Sequence, residues 1–314
     1  MRFVHVLLSA CCALALSAPL AAQGQPEPRP EAGGPPIVVT GEREDSEAER
    51  RREASRFFDS HAVRTRIGQL ARWHEPVCVR AWGLPGEINA RIANRVMDIA
   101  ESLNIPTNRA ELCRPNIRIG FTAEPQAMIE RAVRRNRMVI GFHYAARRDE
   151  IMAVRQPVQA WYVTRTFAAG GGAAAAEQAG VQGATADTGV IDEAGVRVPG
   201  GSAGSRLGSS MSSGLAHVLI FADSRTVAGE EIDSIAELLA FLALAQTPVA
   251  ETCGETDTIL NQMNPACPPS RRPAALTRPD TAYLRALYSV DPTWGPTLQR
   301  GSVVLRMRDV LEER

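Results

Sequence analysis

Between residues 230 and 246 nearly every position that could face a core is apolar: Ile232, Ile235, Leu238, Leu239, Phe241, Leu242 and Leu244. A helix that is apolar on all sides is buried on all sides, so this segment belongs at the centre of the fold. Asp233 and Glu237, one turn apart, give it a single narrow polar flank, and Pro248 stops it. A second helix over 87–104 is amphipathic, with Ile88, Ile92, Val96, Ile99 and Leu103 on one face. Runs rich in β-branched and aromatic residues at 76–82, 116–121, 158–167 and 216–221 read as strands, and 138–142 as a further one. The first two, separated by one helix, predict a parallel βαβ unit. A short helix is expected over 126–135 and a charged turn over 147–150. The pattern is α+β: a mixed, twisted sheet with a buried central helix and a C-terminal helix.

Composition divides the chain. Arg2, an apolar run over 4–16 and small residues over 18–22 read as a signal peptide ending at residue 22. Leu8-Ser9-Ala10-Cys11 offers lipoprotein anchoring at Cys11 as the alternative. The apolar run is too short for a membrane span, and no second candidate exists. Residues 23–56 are rich in Pro, Gly and charge, and are expected to be a disordered linker, with the charged run beginning a helix through Arg56 that becomes amphipathic at Phe57, Phe58, Val63, Ile67 and Leu70. The domain is then 57–308, with a flexible Gly/Ala/Ser-rich insertion at 168–214 that includes a small hairpin near 190–198. Export leaves Cys78, Cys113, Cys253 and Cys267, an even number that favours disulfides. Cys253–Cys267 closes a short Pro-rich loop, and Cys78 and Cys113 each begin a predicted strand, so these are the preferred pairs. A zinc site of four thiolates competes, but no C-x-x-C pair is present. The 35 basic and 35 acidic residues cancel, which argues against nucleic acid or anionic membrane as an obligate partner. Every basic residue is arginine, so no Schiff-base or phosphate-loop lysine exists.

After the central helix comes a loop bracketed by Cys253 and Cys267 that contains Ile259-Leu260-Asn261-Gln262-Met263-Asn264-Pro265. It is followed by Leu276-Thr277-Arg278-Pro279-Asp280, and that segment ends Leu284-Arg285-Ala286-Leu287-Tyr288. This order resembles the C-terminal half of metzincin zinc peptidases of the matrixin-like kind, in an exported protein of proteobacterial type. There a helix bearing His-Glu-x-x-His precedes an "Ile-Met-Asn-Pro" turn and a closing "Leu-Thr-x-x-Asp-x-x-x-Leu-x-x-Leu-Tyr" helix. With Glu237 taken as the glutamate, the metal-ligand positions fall on Ala236, Ala240 and Gln246, and the glycine position on Ala243. Two alanines and a neutral amide do not hold zinc. The resemblance therefore implies a zincin-like domain without its metal motif, no cofactor, and an exported pseudoenzyme.

Glu237 is the one residue that would keep a family role, as a base acting on metal-bound water. Lacking the metal, it is more simply a buried carboxylate bonded to a neighbouring strand or arginine. Trp161 and Tyr162 are candidates to line a cleft beside an edge strand, together with Asp233 and Glu237. His61, His74, His143 and His217 are scattered, without metal spacing. Arg131, Arg134, Arg135 and Arg137 make the end of the 126–135 helix basic, open to an anion or to solvent. Three functions stay in view. The first is a peptide or protein partner bound by strand addition near 161–166 or 216–221. The others are a tethered structural protein of the envelope, and a hydrolase using Glu237 with Asp233 or His217.

Overall fold

The computed structural model describes residues 42–141, 145–168, 190–191, 197–198 and 211–313. The first 41 residues, with the signal-peptide reading, lie outside them. Helix α1, Glu42–His61, takes up most of the charged stretch expected as linker, and residues 42–314 form one unit. The reason is visible at its far end. Ala54, Phe57 and Phe58 are buried, and the arginines of the last helix meet its carboxylates, Arg300 Nη2 lying 2.7 Å from Asp59 and Arg308 Nη1 2.5 Å from Glu47. Charge here is helix surface, not a sign of disorder.

Strand β1, Val79–Trp82, is followed by α2, Gly86–Ser102, and β2, Ile117–Thr122, which pairs with β1 in parallel. Gly83 makes the turn out of β1 at φ +100°, where a Cβ would lie 2.1 Å from the Phe121 carbonyl oxygen. Next come α3, Pro125–Arg135, and a 3-10 turn, Arg137–Ile140. The strand expected over 138–142 is not formed in its described part. The Asn136 side chain accepts the Met138 N–H and Gly141 leaves at φ 85°, which closes the chain into a turn. The expected charged turn is instead part of a helix, α4, Ala145–Met152.

Strand β3, Val158–Ala168, runs antiparallel to β6, Met211–Asp223, which is parallel to β2 on its other side. The sheet order is β1-β2-β6-β3. Between β3 and β6, β4 (Val190–Ile191) pairs antiparallel with β5 (Arg197–Val198), at the site expected for a hairpin. The rest of the insertion lies outside the described residues, except that Ala168 ends β3 and 211–214 already belong to β6. Gly214 is there for packing: a Cβ on it would sit 2.1 Å from the Phe167 ring and 2.7 Å from the His74 ring.

A short helix, α5 (Ser224–Val227), leads into α6, Ile232–Leu244, the expected central helix, whose residues from Ser234 onward are all buried. Its last carbonyls are satisfied by side chains from elsewhere. Trp73 Nε1 donates to Ala243 O at 2.9 Å and the Tyr288 hydroxyl to Leu244 O at 2.7 Å. Helices α7, Arg278–Ser289, and α8, Pro296–Glu312, complete the chain. Both preferred disulfides are present, Cys78–Cys113 and Cys253–Cys267. Alternation along the strands gives the sheet two apolar faces. Ile117, Ile119, Val218 and Ile220 join α1, α2, α6, α7 and α8 in the main core, while Trp161, Leu219 and Phe221 form a smaller one with α3 and the 3-10 turn. The fold is α+β. No helix among the described residues is long and apolar enough to cross a membrane.

Candidate functional site

The segment after α6 is pinned to it and to α7 by buried polar groups. Asp280 accepts four hydrogen bonds: from Thr258 Oγ1 and Ile259 N–H at 2.7 Å each, and from Thr277 N–H at 2.9 Å and Oγ1 at 2.8 Å. Thr277 Oγ1 in return accepts the Asp280 N–H at 3.2 Å, which makes a capping box. The Thr-x-x-Asp pattern is thus a helix start that also ties down the 259–264 turn. Gln262 Nε2 donates to Ser234 Oγ on α6, and Asn264 Nδ2 to Thr252 O at 3.2 Å. Burial, opposed by those four donors, pushes the Asp280 carboxyl up to about 6.

These restraints set Met263 beside the outer sheet edge, and a small cleft lies between them. Ala160 and Tyr162 of β3, Leu238 and Leu242 of α6, Pro248 and Met263 enclose about 50 Å³, room for a few waters and not for a large side chain. The Tyr162 hydroxyl is 3.3 Å from Thr247 Oγ1, and burial pushes its pKa up to about 12. The 247–252 loop is clasped at one end of the cleft, Gln156 Nε2 donating to Ala250 O and Arg155 Nη1 to Glu251, both at 2.5 Å. No residue lining the cleft carries a charge.

Of the residues expected to line a cleft, Tyr162 does so. Trp161 points to the other face of the sheet, buried in the smaller core with its Nε1 donating to Ile151 O at 2.8 Å. Asp233 and Glu237 lie on the flank of α6 that faces α2. Arg91 Nε reaches Asp233 Oδ1 at 2.8 Å, and Arg95 Nε reaches Glu237 Oε1 at 2.7 Å. Glu237 is buried and also accepts the Leu276 N–H at 3.2 Å. His217 belongs to the opposite face of the sheet from α6, so Glu237, Asp233 and His217 are not brought together. Segment 216–221 lies inside the sheet between β2 and β3 and offers no edge, whereas 161–166 lies on the edge strand.

The alanines also point away from the cleft. Ala236, Ala240 and Ala243 are fully buried in the main core, and Gln246 is half-buried just past the helix. At 100° per residue, the cleft-facing pair Leu238 and Leu242 stands about 200° round the helix from Ala236 and Ala240. Sequence reasoning missed this pair because leucine carries no chemical signal. No protein-family model, curated protein or solved structure matches the chain. Among the described residues, no group of three or more His, Cys, Asp or Glu side chains is placed to hold a metal ion.

Proposed function

We propose that this is an exported, zincin-like domain without its metal motif, and that it binds an extended peptide. One observation carries the reading. A cleft with no charged lining residue lies between the edge strand β3 and the central helix α6, beside Met263 of the loop that Cys253–Cys267 closes. Strand β3 runs along the cleft with β6 as its one neighbour in the sheet among the described residues. A partner peptide would add to its outer edge, taking affinity from main-chain hydrogen bonds more than from a deep pocket. The signal-peptide pattern and two disulfides support the periplasm or the cell exterior as its place.

The test has two arms. Metal analysis of the purified mature protein should find no stoichiometric zinc, and one tightly held zinc per chain would sink the proposal. Peptides selected from a random library should lose binding when alternate backbone nitrogens are methylated. They should also lose it to Pro248→Arg, which crowds the cleft from an exposed loop. Binding that ignores both changes would place the peptide elsewhere.

A further inference from the structure

The sheet has a second cavity, on the face turned away from α6. Its floor is aromatic and aliphatic: Trp82 from β1, Leu219 and Phe221 from β6, and Val139 from the 3-10 turn. Trp82 and Phe221 meet edge to face with ring centroids 6.1 Å apart. They close over Gly120, where a Cβ would lie 2.5 Å from the indole and 2.8 Å from the Phe221 ring. The cavity holds about 170 Å³. An apolar cavity of about 150 Å³ accepts a benzene ring, so one ring or a short alkyl chain fits.

The rim is cationic. Arg118 from β2 and Arg131 and Arg135, one turn apart on α3, line the same cavity, and no carboxylate lines it. The Arg118 guanidinium carbon stands 5.6 Å over the Trp82 ring. Arg131 Nη1 has the weak acceptor Met128 Sδ at 3.7 Å. The neighbouring Arg134 is paired with Glu130, but Arg118, Arg131 and Arg135 have no ion pair among the described residues. Exposed arginines are common on any protein. Three that surround an apolar pocket floored by tryptophan, with no acid beside them, complement one kind of ligand: an anionic head on a compact apolar body.

We propose that this cavity binds a small free monocarboxylate, with its aromatic ring or short alkyl chain on the Trp82–Phe221 floor and its carboxylate against Arg118, Arg131 and Arg135. Guanidinium pairs carboxylate through parallel N–H donors, and the apolar body excludes the water that would screen it. The site is on the opposite face of the sheet from the peptide cleft and does not depend on it.

Calorimetric titration of the full mature chain with 3-phenylpropionate and hexanoate, each against its uncharged amide, tests this. The acids should bind at least about tenfold more tightly than the amides, as charge-assisted bonds imply. The surface variant Arg131→Ala/Arg135→Ala, checked for an unchanged melting temperature, should remove that preference. Ala132→Phe, which fills the cavity, should abolish binding of acid and amide alike. Inorganic phosphate should compete poorly. The proposal fails if neither acid binds, if phosphate binds as well as the acids, or if the arginine variant keeps the preference. It fails equally if an acetylated peptide ending in phenylalanine binds where the free acids do not.

Discussion

Burial sets the protonation of the three described histidines. His61, His74 and His217 all have lowered pKa values, desolvation being the largest cause in each. Arg118 adds to the shift at His217, which falls to about 4. Below about pH 6.5 the unfolded chain takes up protons on these rings before the folded chain does, at His217 down to about pH 4. Unfolding is therefore favoured as pH falls through that window. Asp280 acts in the opposite sense. Its folded carboxyl holds a proton up to about pH 6, so it contributes stability as pH falls from 6 towards 4. Three rings act against one carboxyl, and urea midpoints are expected to drop from pH 7 to pH 4. His217→Gln should flatten that slope and Asp280→Asn should steepen it. A wild-type midpoint that stays level across the window would contradict the burial of these rings.

At the level of elements, α2 and α6 are joined by two rungs of unequal weight. Arg91–Asp233 is open to solvent on both sides, whereas Arg95 meets a Glu237 side chain that is only 8% exposed. Exposed pairs contribute about 0–1 kcal/mol, so Arg91→Ala should barely move the unfolding midpoint. Arg95→Ala strands a buried carboxylate and should cost about 2 kcal/mol, less than a wholly buried pair because Arg95 is half exposed. Pairing Arg95→Met with Glu237→Leu should recover most of that loss, and a double-mutant cycle by urea unfolding measures it. The disulfides add restraint of another kind. Loop-closure entropy assigns about 3 kcal/mol to the bridge at separation 14 and about 4 kcal/mol to that at 35. These elements were legible in the sequence because apolar periodicity and turn residues fix them locally. Their faces were less so. Glu237 drew the reading to its own side of α6, and only the packed helix reveals that Leu238 and Leu242 face the cleft. Strand pairing was equally hidden: the run 216–221 looks like an edge or a centre until β2 and β3 are placed on its two sides.

For the molecule as a whole, local reading finds the helix that begins in the charged run but not that this helix belongs to the same unit as the rest of the domain. Residues 42–56 have the composition of a linker, and composition alone cannot register that a partner helix 250 residues away carries matching arginines. The contact is more than electrostatic. The Phe57 ring lies 5.5 Å from Tyr283 and 6.4 Å from Phe241, and Arg300 stacks 5.8 Å over Phe58. Helix α1 therefore covers the core at α6 and α7 as well as the face of α8. A chain beginning at Phe57 keeps both aromatics but leaves only one turn of helix to present them, and so short a helix does not hold in water. Freeing Phe57 and Phe58 forfeits about 1.5–3 kcal/mol each, a large share of the 5–15 kcal/mol typical of a folded domain. Removal of residues 1–41 should leave the melting temperature of the purified chain within a degree or two of that of the full chain. Removal through residue 56 should lower it by about 10 °C or more, or yield insoluble protein. If both truncations melt alike, the N-terminal helix is an accessory to the domain and its boundary belongs at 57 after all.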